Sequence, residues 1–441
     1  MKKKHVLFGM AMALLAGCSS GDDLLAEQPA VPAAESLDDE NVTRQDLMGD
    51  VPIEFAAVNF GADVEVEESS HASKRASINE DFTTGKGTIG IFCLSSKKIG
   101  AAATDDAILR SWSGNVGAKL NMLNLWQENV KAHVQSTYGT EGKMYWDDPN
   151  TPHYYPNLEY FNYSFVAYHP YTDIIKKEKN IIYAYIPMDG DDDVMSAFAD
   201  GPRASVNAGV DELAYGNSYF KGIIDAGQSI TDDHKPYFTF NHLAAKLKFT
   251  VKFKETSPVL QEHQFHVDSI CINNVVNIIR LSVAKNTTGE AEAGSYSLIS
   301  NIADLDDDIK AKLSEAGYTG HGTFWLRDTD GTSISGKKVG DDYKYVINSS
   351  SKTPVGDCIM IPPTSAATLK VQVFLRDEEG NRYTTISPIS LNLPGGASKW
   401  EAGKEYTINI TMTPPANYTE AKGAIVDWET ELTEIDVTDE D

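Results

Sequence analysis

The run from Leu243 to Phe253 limits what this chain can become. Leu243, Ala245, Leu247, Phe249, Val251 and Phe253 alternate with Ala244, Lys246, Lys248, Thr250 and Lys252. Successive side chains of a strand point to opposite faces, so six consecutive matches to a period of two specify an extended strand with one apolar face. Such a strand fits the half-buried position of an antiparallel sheet.

The same rule recurs along the chain. Leu369, Val371, Val373 and Leu375 alternate, and the turn Glu378-Glu379-Gly380-Asn381 leads into Tyr383 to Ile386, a hairpin signature. Tyr406, Ile408, Ile410 and Met412 alternate with Thr407, Asn409 and Thr411. Thr88 to Leu94, Phe165 to Tyr168 and Ile181 to Ile186 read as further strands. One segment reads as a helix, Ala303 to Ala316, where Asp306, Asp307 and Asp308 favour the positive end of a helix dipole. The expected class is mostly β, sandwich-like, with few short helices. A length of 441 residues with 41% hydrophobic content suits two such domains.

The first residues carry a different signal. Lys2, Lys3 and Lys4 precede an apolar run from Val6 to Ala16, and Leu14-Leu15-Ala16-Gly17 stand directly before Cys18. This is the layout of a signal peptide over residues 1–17, too short to span a bilayer. Small residues before a cysteine make it resemble a bacterial lipobox, with Cys18 as the lipidated residue. Residues 18–50 read as a flexible acidic tether, since Asp22, Asp23, Glu27, Glu35, Asp38, Asp39 and Glu40 among prolines cannot bury enough apolar surface to order it.

From Val51 the pattern becomes apolar again. Val51, Ile53 and Phe55 alternate with Pro52 and Glu54, and Val58 and Phe60 take the opposite phase. A strand with a bulge near Ala56-Ala57 fits. Glu67 to Ser77 then reads as an exposed loop containing Arg75, the kind of segment where proteolysis acts. Arg44 lies before the strand, and a cut there would leave the strand attached.

Catalytic and metal signatures are thin. The chain lacks G-x-S-x-G, H-E-x-x-H, P-loop and dinucleotide motifs, so no enzyme and no cofactor is expected. His263 and His266 sit three apart, which in a strand sends them to opposite faces, and no metal is expected there. Asp189-Gly190-Asp191-Asp192-Asp193, with Asp200 at the twelfth position, resembles a calcium loop, yet Val194 stands where the sharp turn needs glycine. Cys93, Cys271 and Cys358 are too far apart in sequence for a metal pair and read as small core residues. Eight tyrosines lie between Tyr138 and Tyr171. They read as core plugs of a sandwich, with exposed aromatics for sugar stacking or a partner interface as the alternative. A net charge of −26 argues against nucleic acid or an anionic membrane surface as partner.

Several segments resemble the fimbrillin-like pilins of Bacteroidota type V fimbriae. They are Thr88-Ile89-Gly90-Ile91-Phe92, Phe165-Val166-Ala167-Tyr168-His169-Pro170, Phe240-Asn241-His242-Leu243-Ala244-Ala245-Lys246-Leu247 and Trp400-x-Ala402-Gly403-Lys404-x-Tyr406-x-Ile408, followed by Ile425-Val426-Asp427-Trp428. The resemblance implies two antiparallel transthyretin-like β-sandwich domains, here 76–255 and 256–441, after a pro-segment at 51–75. It implies export as an outer-membrane lipoprotein anchored through Cys18, and cleavage by a trypsin-like protease after Arg75, with Arg44 as the alternative. The strand carrying Val51, Ile53, Phe55, Val58 and Phe60 would then leave, and a neighbouring subunit's C-terminal strand would replace it. Ile425, Val426, Trp428, Leu432, Ile435 and Val437 are the candidate donor residues. The implied partners are other pilin subunits, the protease and a host or bacterial surface ligand. The competing expectation is a monomeric surface lipoprotein that binds glycans or host proteins.

Overall fold

A computed structural model describes residues 48–56, 58–59, 87–97, 120–138, 141–148, 150, 152–156, 161–178, 181–200, 215–256, 258–285, 294–365, 369–384, 389–391, 399–413 and 428–429. The expectations at Cys18, Arg44, Phe60, Arg75, Ile425, Val426, Leu432, Ile435 and Val437 lie outside these residues.

The chain enters on β1 (Met48–Pro52) and β2 (Val58–Asn59). There follow β3 (Thr88–Lys97), β4 (Leu120–Tyr138), β5 (Glu141–Trp146), β6 (Tyr154–Pro156) and β7 (Phe161–His169). Then come β8 (Ile175–Lys177), β9 (Ile181–Pro187), β10 (Met195–Asp200) and β11 (Tyr237–His242). Seven of these form a closed path, β10-β11-β2-β5-β4-β3-β7. Two segments far apart in sequence meet in it. Gly90 of β3 pairs with Tyr168 of β7, and Ile91, Phe92, Phe165 and Val166 of the two strands have no solvent exposure, alternate residues being covered on opposite faces. Gly90 is required there, because a Cβ would stand 2.4 Å from the Tyr168 ring.

The later strands are β12 (Ala245–Phe253), β13 (Phe265–Val276), β14 (Ile278–Lys285), β15 (Tyr296–Leu298) and β16 (His321–Trp325). They continue with β17 (Lys338–Val339), β18 (Asp342–Tyr343), β19 (Thr353–Ile361), β20 (Lys370–Asp377) and β21 (Arg382–Thr384). The last are β22 (Ile389–Ser390), β23 (Glu405–Met412) and β24 (Trp428–Glu429). One sheet runs β19-β12-β23-β24 and another β16-β13-β20-β21, with β22 also on β20. Their apolar faces share a core through Phe249, Phe253, Phe265, Ile270, Val373 and Ile408. A third sheet, β15-β14-β9-β8, joins strands from either side of residue 255.

The alternating segments behave as the period of two requires. Leu247, Phe249, Val251 and Phe253 are buried and Lys248, Thr250 and Lys252 are half-buried. This strand is antiparallel to β19, as expected, and parallel to β23, which no local pattern specifies. Lys246 is the exception on the polar face, buried beside Glu405 at 3.4 Å. The hairpin between β20 and β21 forms, with Asn381 N–H and side chain donating to buried Asp377.

Helices are few. The expected one at 303–316 divides into a 3-10 turn, Ile302–Asp304, and α3 (Asp307–Glu315), whose Ile309 and Leu313 are buried. Among the described residues two more occur, α1 (Asn217–Asp225) and α2 (Pro258–Glu262). The first carries Tyr219 and Phe220, aromatic residues of modest helix propensity that are held by burial.

Candidate functional site

The site is the seat of residues 48–56 and 58–59, a strap across the closed path. β2 fills the place between β11 and β5. Asn59 pairs in parallel with Thr239 of β11, and Val58 and Asn59 pair in antiparallel with Gly142 and Glu141 of β5. A two-residue strand therefore closes the path of seven. Its partners would otherwise carry unpaired backbone groups along two edges, an open template for another strand.

Upstream, β1 pairs with β6, Met48 opposite Pro156 and Pro52 opposite Tyr154. The segment between β1 and β2 is not a continuous strand, which corrects the expected single strand from Val51 to Phe60. The physical reason lies in its partners. Ile53 N–H donates to the His153 carbonyl at 2.7 Å, and Ala56 N–H donates to the Pro236 carbonyl at 2.9 Å. The backbone thus changes partner at the expected bulge, and Phe55 and Ala56 are both buried there. Before it the alternation holds, with Val51 and Ile53 buried and Pro52 and Glu54 exposed.

Phe55 enters an aromatic cage. Its ring stacks on Phe238 and meets Phe165 and Trp146 edge-on, all at 5.3 Å between centroids. Trp146 also donates its indole N–H to the Ile53 carbonyl at 3.1 Å and packs on His153 at 4.4 Å. Burial lowers the His153 pKa from its ordinary value. Tyr155 fills the next layer against Phe165 and Phe220, its hydroxyl buried with no hydrogen-bond partner among the described residues and its pKa pushed well up by that burial. The tyrosine concentration thus supplies core residues at Tyr155, Tyr163 and Tyr168, whereas Tyr145 is exposed.

Charge pins the outer side. Lys235 bridges Glu54 at 3.0 Å and Asp232 at 3.1 Å. Burial pulls the Lys235 pKa down, but the two carboxylates outweigh it and leave it raised. Lys221 of α1 meets Asp50 at 3.1 Å.

The other sequence candidates do not converge. His263 bonds Glu378 at 2.6 Å, while His266 is buried and stacked on Tyr343 at 3.6 Å. The acidic stretch 189–193 runs straight into β10, with Val194 fully buried. Asp200 closes that strand, about 20 Å along it, so no loop folds back on a cation. Burial, then Asp189, raises Asp191 to about 7 against the pull of Arg327. Cys93 and Cys271 are buried free thiols and Cys358 is a half-buried one. Burial raises Cys271 to about 11 and Cys358 to about 12. Trp428 of the candidate donor segment lies on β24, opposite Met412 at the end of β23. Among the described residues no helix is long and apolar enough to cross a membrane.

No curated protein matches the chain. Among solved structures it is similar to a cell adhesion candidate from Bacteroides uniformis, at 16% identity and TM-score 0.36, covering 82% of this chain and 99% of that one. It is similar to a fimbrial protein from Bacteroides vulgatus, at 13% identity and TM-score 0.35, covering 78% and 92%. It is also similar to the C-terminally truncated tip fimbrial protein Mfa3 from Porphyromonas gingivalis, at 10% identity and TM-score 0.28, covering 81% and 95%. The fimbrillin-like family model matches residues 75–428, a span that starts at the arginine behind the strap and ends at the tryptophan of β24. The chain belongs to the fimbrillin-like family.

Proposed function

We propose that the chain is a fimbrial subunit delivered to the cell surface as a lipoprotein through Cys18, released after Arg75 and assembled by donor-strand exchange. The observation that carries this reading is β2 between β11 and β5, with Val51, Ile53 and Phe55 buried beside it. Burying these three side chains contributes roughly 5–9 kcal/mol. Their loss after a cut at Arg75 would leave an apolar slot and two strand edges. The same free energy favours a strand from another subunit, which is β-strand addition carried to its limit.

Two features support the C-terminal segment as donor. Val426-Asp427-Trp428 repeats the apolar, acidic, aromatic order of Ile53-Glu54-Phe55. In that register Trp428 takes the Phe55 cage and Asp427 takes Lys235. β24 also stands at the edge of its sheet, paired with β23 alone among the described residues, so it can leave without opening the sheet's interior. The outer-membrane tether and a two-domain architecture belong to the same reading, with β12 and the β15-β14-β9-β8 sheet tying together the two sides of residue 255.

A trypsin-like protease applied to the folded precursor tests it. Cleavage after Arg75, followed by heat-labile ladders on gel electrophoresis, is the expected result. A monomer that stays soluble and unchanged after that cut would sink the polymerisation reading.

A further inference from the structure

The outer face of the β16-β13-β20-β21 sheet carries a patch that the strand-exchange reading does not use. Trp325 is 46% exposed, although tryptophan is normally well covered. Its ring lies 6.0 Å from Phe374, with the planes 29° apart, and the Arg382 guanidinium stands 4.2 Å over the other aromatic ring of the row. Cys271 pairs with Trp325 across the β13–β16 ladder and is only 1% exposed, so the row forms a solid floor rather than loose side chains. From β16 to β21 the row crosses three strand spacings, on the order of 14 Å.

The rim of the patch is polar and planar. The Thr323 hydroxyl donates to the Asn273 side-chain oxygen at 3.1 Å. That bond commits the oxygen and aims the Asn273 amide hydrogens away from it. Asn274 beside it is exposed and sits at φ 60 in the bulge that offsets β13 from β16.

Two arginines lie along the patch, on either side of the turn Asp377-Glu378-Glu379. Asp268, 2% exposed, holds Arg376 at 2.7 Å and Arg382 at 3.3 Å and accepts from Ser335 at 2.5 Å. Two guanidiniums thus face one carboxylate, in a protein of net charge −26. Asp268 and the Ser269 hydroxyl hold the Arg382 guanidinium through Nε and one terminal nitrogen, which leaves its remaining N–H groups for an external carboxylate.

We propose that this face binds an acidic saccharide. Trp325 stacks on a pyranose ring, Asn273 and Thr323 meet its hydroxyls, and Arg382 takes the carboxylate of a neighbouring unit. A flat exposed ring beside amide and hydroxyl groups suits a sugar better than an acidic peptide, which would add to a sheet edge through its backbone. The site stands independently of strand exchange and is present in the uncut chain.

Isothermal titration of the full chain with oligogalacturonate of about six units, and with polysialic acid, tests the proposal. At least one of the two should bind. Trp325→Ala and Arg382→Ala should each weaken that binding at least tenfold, and Trp325→Phe should keep most of it. Tyr145→Ala, at an exposed aromatic residue of β5 in the separate closed path, should leave it unchanged and controls for general disruption. A neutral dextran of equal length should bind at least tenfold more weakly. Failure of both acidic probes overturns the proposal, as does unchanged binding by Trp325→Ala. Equal binding of polyglutamate would assign the patch to an acidic protein, and loss of self-association in Trp325→Ala without any sugar binding would assign it to a second copy of the chain. Either result also overturns the proposal.

Discussion

Phe55 stacks on Phe238 with ring centroids 5.3 Å apart and planes 26° apart. A residue upstream of the proposed cut thereby shares a core with strand β11. Truncating Phe55 to alanine removes the ring from a cage that cannot collapse around it, since Phe165 and Trp146 are held by their own strands. Phe55→Ala should cost about 3–5 kcal/mol in the uncut chain, read from its guanidinium denaturation midpoint. A loss under about 1 kcal/mol would mean that the strap is not part of the folded core.

Cleavage should depend on which arginine is present. Arg75→Ala should abolish the fragment that begins at Ala76 in limited trypsin digests read by mass spectrometry. Arg44→Ala should leave that fragment in place. The reverse outcome would move the processing site to the other side of the strap and leave the strap attached.

Acid should loosen the strap. The folded-state pKa of His153 is lowered by burial. A lowered pKa means that the neutral imidazole is the form the fold prefers, so its contribution is fully present above the unfolded value near 6.5 and is lost as pH falls through the lower folded value. Stability of the uncut chain should therefore decline below about pH 6.5, and His153→Phe should flatten that part of the profile. Thermal melts between pH 5 and 8 check it, and an unchanged slope in the variant would exclude His153 as the group responsible.

One substitution should stabilise. The Tyr155 hydroxyl is buried with no hydrogen-bond partner among the described residues. Tyr155→Phe keeps the ring contacts with Phe165 and Phe220 and removes an unsatisfied polar group, so a gain of about 1 kcal/mol is expected. A loss of stability on denaturant unfolding would mean that the hydroxyl has an acceptor in solution.

The contact between β3 and β7 is intolerant of added bulk. An alanine at Gly90 would press its methyl to 2.4 Å from the Tyr168 ring and 2.7 Å from the Asn129 side-chain oxygen. Tyr168 cannot swing away, because its hydroxyl lies 2.6 Å from the Asn129 side-chain oxygen and 2.9 Å from the Thr172 carbonyl, two acceptors for its one O–H. Gly90→Ala should destabilise by at least about 1–3 kcal/mol on thermal unfolding. Full stability would show that the two strands can separate without cost.

Much of the fold was legible because it is local. Strand periodicity in Leu243 to Phe253 and Leu369 to Leu375 follows from the pleat, so burial and exposure alternate as the residues alternate. The turn before Arg382 and the buried faces of Val51 and Ile53 were readable for the same reason. The α1 helix was not, since Tyr219 and Phe220 are placed by their packing around Tyr155 rather than by their own preference. The sequence by itself determined the alternation, the family motifs and the apolar strap before Arg75. Only the tertiary structure decided that β2 lies between β11 and β5, that β12 runs parallel to β23, and that Trp325, Phe374 and Arg382 form one row. Each of these joins residues tens to hundreds of positions apart. Which strand edge meets which is set by competition for backbone partners and shared core, a property of the whole chain that no window of sequence contains.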